Sequence, residues 1–416
     1  MQDTKYRVHY GYIVAAMSVM VVLGSLGLGR FSFTMIYPNM MEGLGVGNTE
    51  MGLLASINFF GYLIFSLAGG IMASKYGPRV IISFSLIMAG IAMVLTGLAG
   101  ALGMAMAMRF ITGMGSGGSN VPVMGLLSSW FAPRRRGMAA GLAVGGSGIG
   151  IALAGILVPM INGAYHDDGW RWSWYFLGAA VVAIGLLAAV FLRNSPDEMG
   201  IRPVAFTEIA SGQQPGVPAV LPFNWRLIYR SREIWQLGLL YFLFGFSYII
   251  MINFFSVYLI REAGLPERTA GYLWSTVGLL GIFSGLVWGN ISDLIGRRLA
   301  LSMVFALQGT CFAIFALGHG PFFHWSTALL FGITAFAIPA IIAAATGDFI
   351  GARLAPAGLG MITVLFGIGQ MLGPALAGYL ADLTGTYRIG FFLSSGAAFT
   401  GALGSLMLKP PKEAAN

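Results

Sequence analysis

The sequence is poor in the groups from which catalytic and metal centres are made. One cysteine, Cys311, excludes an intramolecular disulfide. The four histidines, His9, His166, His319 and His324, fall at expected loops or helix ends, and no Cys/His spacing suits a metal. Charged residues are 9% of the 416, against roughly 25% in a soluble globular domain, so water is not the main solvent of this fold. Asp and Glu are missing from the interiors of the apolar runs and stand only at their ends or in loops. The run GMGSGG at 113–118 lacks the strand and the Lys-Ser/Thr of a nucleotide loop. No enzyme, no cofactor and no metal centre is expected.

What is present is apolar sequence long enough to cross a bilayer, which takes ~20 residues per helix. Twelve such runs are expected, over 10–38, 49–73, 79–100, 102–128, 138–161, 171–192, 235–260, 269–291, 299–318, 322–347, 359–381 and 388–408. Helices are the expected element, because lipid leaves an exposed backbone unsatisfied and the alternation of a membrane barrel is lacking. The first run follows MQDTKYRVHY without a small-residue cleavage site and is expected to stay as the first helix. The net charge of +8 is not spread like that of a nucleic-acid binder. Lys5, Arg7, Lys75, Arg79, Arg134, Arg135, Arg136, Arg193, Arg202, Arg226, Arg230, Arg232, Arg297, Arg298, Arg353, Lys409 and Lys412 fall on one side of the expected membrane. Only Arg171, Arg261, Arg268 and Arg388 fall on the other. Positive-inside bias makes the first side cytoplasmic, with both termini there, in a bacterial inner membrane.

The only long polar interruption runs from 193 to 233 and divides six spans from six. The expected organisation is a bundle over 1–192, a cytoplasmic linker over 193–234 and a second bundle over 235–416. The halves are related: FAPRRRGMAAGLAVGGSGIGIALAG at 131–155 aligns without gaps on LAPAGLGMITVLFGIGQMLGPALAG at 354–378, with eleven of twenty-five positions identical. GIMASKYGPR from Gly70 likewise matches GNISDLIGRR from Gly289.

Gly289, Asp293, Gly296, Arg297 and Arg298 resemble the cytoplasmic loop signature of the major facilitator superfamily, and Arg109 with Gly113, Gly115 and Gly117 resembles its fourth-helix motif. The resemblance implies an all-α membrane protein with twelve transmembrane helices in two pseudo-symmetric six-helix bundles. YGYIV at 10–14 and WFAPRRRGMAAGLAVGGSG look like oxalate/formate and monocarboxylate porters. LGRFSFTMIYP, NFFGYL, GFSYIIMINFF and FGIGQMLGPALAGYLAD are more similar to a bacterial branch of the YbfB/YjiJ type. Ser74 stands where the first-half loop signature has Asp, so a gate of Lys75, Arg79, Asp293, Arg297 and Arg298 is expected to lean on its second-half members. Oxalate-type porters carry cations in their second half; the eighth and eleventh runs have none inside, so oxalate exchange by that mechanism is not expected.

Arg30 and Arg109 are the two ionisable residues left within spans. Each costs about 2.5–3.5 kcal/mol on insertion scales, which makes each a candidate for function. With no carboxylate inside any span, they are free to take an anion, and a guanidinium matches a carboxylate with two parallel hydrogen bonds. The competing reading has Arg30 reach outward to carbonyls at the far end of its helix and Arg109 serve structure or gating. Arg109, Ser116 and Asn120 share one face of the fourth helix, and Asn58, Tyr62 and Ser66 one face of the second. Tyr248, Asn253, Trp274, Phe366 and Gln370 are the second-half candidates to close the site, though each alone reads more simply as packing. The expected function is secondary transport of a small organic anion, above all a monocarboxylate, by a monomer in the lipid bilayer, with protons or a counter-anion as coupling partner. The alternative is efflux of drugs or metabolites by proton antiport.

Overall fold

The computed structural model describes residues 9–204 and 229–408. The middle of the polar joint with Arg226, the termini with Lys5, Arg7, Lys409 and Lys412, and the side chains of Arg134 and Arg353 lie outside the described residues.

Twelve helical spans follow one another: α1 (Tyr10–Leu44), α2 (Asn48–Tyr76), α3 (Pro78–Gly97), α4 (Leu102–Trp130), α5 (Pro133–Tyr165), α6 (Gly169–Phe191), α7 (Arg232–Glu262), α8 (Glu267–Ile295), α9 (Arg297–Leu317), α10 (Pro321–Ile350), α11 (Gly358–Thr384) and α12 (Arg388–Leu406). They fall on the twelve expected runs. Between α5 and α6 the polar residues His166, Asp167 and Asp168 interrupt the apolar sequence, and the chain turns at His166, whose φ is +47°. The α4 helix is a borderline apolar run, since Arg109, Asn120 and a run of Gly and Ser lie within it. The backbone of α10 and α11 is helical without interruption from Ala337 to Thr384. It must nevertheless fold back, because Gly358 packs on Ile350 and Thr346, eight and twelve residues earlier; a straight helix rises 1.5 Å per residue and keeps such residues well apart.

The internal repeat has a local structural counterpart. Gly77 and Gly296 close the second helix of each half with φ of +88° and +87°, a region that glycine enters without a Cβ penalty. Each turn leads directly into the next helix, at Pro78 and at Arg297.

Small residues set the seams between the halves, as membrane helix packing requires. Along α5 and α8, a Cβ on Gly278 would stand 2.5 Å from the Gly148 carbonyl. Gly155 and Gly271 press on each other's backbone in the same way. Along α2 and α11, Gly52 lies on the Pro374 carbonyl and Gly378 on that of Asn48. Ser56 Oγ donates to the Met371 carbonyl at 2.6 Å.

The alternation of twelve spans puts residues 9 and 408 on one face, called here the terminal face, and the loops at 45–47, 263–266 and 385–387 on the distal face. At the distal face the halves are tied by polar contacts. Asp382, at the end of α11, accepts from Thr49 N (2.7 Å) and Oγ1 (2.6 Å) and from Asn48 N and Nδ2 (both 2.9 Å). It thereby caps the N-terminus of α2 from the other half, where backbone donors and the helix dipole favour a carboxylate. Tyr387, whose phenol burial pushes up to about 12 and so keeps as a neutral donor, gives its proton to Asn48 Oδ1 at 2.7 Å. Arg261 pairs with Glu42 at 2.6 Å, and Asn162 donates to Glu267. Further hydrogen bonds between the halves lie at mid-membrane.

Candidate functional site

Arg30 stands on a local irregularity of α1. Leu23–Phe31, LGSLGLGRF, forms wide π turns in which Ser32 N donates to the Gly27 carbonyl. Such insertions in α-helices concentrate at functional sites. Two residues of α4 hold the backbone of this segment. Arg109 Nη1 donates to the Gly29 carbonyl at 2.9 Å, and Ser116 Oγ to that of Ser25 at 2.8 Å. The shared face of Arg109 and Ser116, one heptad apart, is thus turned onto α1.

From this segment Arg30 reaches across the seam rather than outward along its own helix. Its Nη2 donates to Gln370 Oε1 of α11 at 2.5 Å. Its guanidinium carbon lies 4.5 Å from the Phe59 ring centre, 5.5 Å from Phe31 and 5.7 Å from Tyr62. Contacts of this kind stabilise a cation by about 0.5–2 kcal/mol but do not neutralise it. Arg109 is 1% exposed, with its guanidinium carbon 4.8 Å from Phe33 and 5.1 Å from Trp174. Among the described residues neither arginine is paired with a carboxylate. Arg30, Arg109, Asn58 and Asn253 line one small cavity together with Phe31, Ala55, Ile249 and Ile252, whose volume of about 10 Å³ has room for about one water.

The expected residues other than the two arginines have the following contacts. Asn58 Nδ2 donates to the Arg109 carbonyl at 2.8 Å and Asn253 Nδ2 to that of Ile249 at 2.9 Å. Tyr62 and Asn120 bond each other at 3.0 Å. Tyr248 faces Gln370 and stacks on Phe244 at 4.7 Å. Phe366 stacks on Tyr241 at 4.2 Å and meets Phe59 edge-on at 6.4 Å. Trp274 packs on Phe255 at 5.3 Å, and its buried Nε1 has no acceptor. Of the gating candidates, Arg297 bonds Asp293 and, at 2.9 Å, Asp348, all within the second half. Arg298 is exposed, Arg79 donates to the Ala189 carbonyl of its own half at 2.8 Å, and Lys75 lies over Tyr76.

Three parts of this arrangement escape a reading of the sequence: the π segment, the Phe33 and Trp174 faces on Arg109, and the distal tie at Asp382. Only the glycine spacing of LGSLGLG hints at the first; a lone acid at a helix end, as Asp382 is, gives no local signal of its partner.

A model of the Major Facilitator Superfamily matches residues 19–365. The chain belongs to that superfamily. Relatives within it include the probable sulfoacetate transporter SauU of Cupriavidus necator, 27% identical over 92% of this chain and 90% of that one. They also include the hexuronate transporter of Bacillus subtilis, 24% identical over 92% and 91%. The crystal structure of a bacterial homologue of the human lysosomal transporter Spinster superposes with a TM-score of 0.75 at 15% identity, covering 97% of this chain and 96% of that one. At that identity the superposition speaks for the fold: two pseudo-symmetric bundles of six membrane helices, as the repeat led one to expect.

Proposed function

We propose that this chain is a secondary active transporter that carries a small organic anion by alternating access, and that Arg30 is the principal anion contact. The observation that supports this most is the placement of Arg30 on the seam between halves, bonded to a neutral amide of α11 and to aromatic faces, with no carboxylate to cancel its charge. An anion that binds there would touch both halves, which is what a solute must do to couple its binding to their movement. The sulfoacetate and hexuronate named for the relatives are organic anions too, which favours this reading over drug efflux. In the arrangement described, the site is closed toward the distal face. The basic residues would put the terminal face in the cytoplasm of a bacterial inner membrane, so the state would be inward-facing. The bundles 1–192 and 235–416 would be the rocking bodies and 193–234 the joint between them. With no acid inside a span to carry a proton, either the anion brings its own proton or a second anion is exchanged for it. The test is counterflow in proteoliposomes loaded with unlabelled sulfonates, monocarboxylates or dicarboxylates. Accumulation of the labelled anion is expected; transport of cationic amphiphiles with no anion accumulation would overturn the proposal.

A further inference from the structure

The two intramembrane arginines face a single small space. Arg30 comes from α1 and Arg109 from α4, yet both line the same cavity, beside Asn58 and Asn253. The acceptors that the protein offers them are neutral: Gln370 Oε1 to Arg30 and the Gly29 carbonyl to Arg109. A neutral acceptor satisfies one hydrogen bond and cancels no charge, and a guanidinium does not shed its proton in a protein. A donor is also left over: Arg109 Nε is buried without an acceptor. The cavity therefore carries two positive charges and an unmet donor. A bound monoanion would cancel one charge and leave the second in a medium where charges are poorly screened.

We propose that the site is built for a compact dianion, a dicarboxylate or sulfocarboxylate of three or four carbons, with one anionic group at Arg30 and the other at Arg109. Because both arginines touch one cavity, the two anionic groups must be close together on the ligand, and the ligand must widen a space that in this state has room for about one water. This rests on the anion-transport reading above and narrows it from organic anions in general to those carrying two charges.

The experiment compares acids of one shape and two charges. Malonate is matched with its monoamide malonamate, and succinate with succinamate, on the purified full chain at a pH where both diacids are fully ionised, by calorimetry and ligand-induced thermal stabilisation. At least one diacid is expected to bind tenfold or more tightly than its monoamide. In Arg109→Gln that ratio is expected to fall to within about twofold. In Arg109→Lys, which keeps the charge, the preference is expected to persist. If Arg109 only braces the Gly29 carbonyl, Arg109→Gln should weaken diacid and monoamide equally, which would overturn the proposal. Should Arg109→Gln fail to fold, the wild-type ratio decides: equal binding of diacid and monoamide sinks the dianion site and leaves anion transport standing. Binding of no acid in either series sinks both.

Discussion

Replacing Arg30 by glutamine removes the charge on the seam while leaving an amide in its place. If the cation is there to take an anion, the variant loses a charge-assisted contact and leaves the ligand's anionic group desolvated, a cost of roughly 2–5 kcal/mol. At 1.4 kcal/mol per tenfold this is about thirtyfold to several thousandfold in Kd. The structure makes a second, opposite expectation for the empty protein. Arg30 pairs with no carboxylate among the described residues, and its bond to Gln370 at 2.5 Å and its contact with Phe59 at 4.5 Å offset only part of its desolvation. Glutamine at position 30 should therefore leave the ligand-free melting temperature unchanged or raise it. Arg30→Lys keeps the charge but lacks the planar fork, so its affinity should fall between the two. The assay is calorimetric Kd on purified variants, with melting curves recorded first. Equal affinity in wild type and Arg30→Gln would refute the anion site. A large drop in ligand-free stability would instead make Arg30 a structural tie to Gln370.

At the distal face, Asp382→Asn should release the tie to α2, since an amide presents hydrogens to donors that now meet a carboxylate. Because Asp382 is exposed, the effect belongs at the low end for a charged hydrogen-bonded group, about 1–2 kcal/mol. Spin-label distances across the distal ends of α2 and α11 should show a fivefold to thirtyfold gain in the open population, and an unchanged distribution would show the tie to be idle. At the terminal face, Asp293→Asn should slow transport more than it weakens binding, because it frees Arg297 from one of its two carboxylates. Lys75→Ala and Arg79→Ala should slow transport less, Arg79 being bonded within its own half; initial rates in proteoliposomes separate these outcomes, and a larger loss from the first-half pair would contradict them.

The fold was legible because lipid enforces it. Apolar run length marked most of the spans, and the match of 131–155 with 354–378 made α5 and α11 counterparts in the two halves. The α4 helix, a borderline apolar run, is also the one that carries Arg109, Ser116 and Asn120. A polar stripe lowers the apolar average and in the same stroke marks the helix as one that faces other helices.

The site was legible only by type. An arginine deep in a span with no acid nearby announces an unmet charge, and helical spacing correctly gathered Arg109 and Ser116 on one face. Periodicity of 3.6, however, cannot anticipate a π segment, which adds a residue to the turn and rotates the remainder of the helix by about 100°. That rotation bears on where Arg30 points. Nor can spacing within one helix say that Gln370, 340 positions away, would supply the acceptor for Arg30; that depends on how two bundles meet, a relation set by glycine seams such as Gly148 with Gly278. The distal tie is hidden for the same reason. Asp382 looks like an ordinary solvated acid until the N-terminus of α2 is brought beneath it, and what it then holds is the relative position of the two halves that an alternating-access cycle must change.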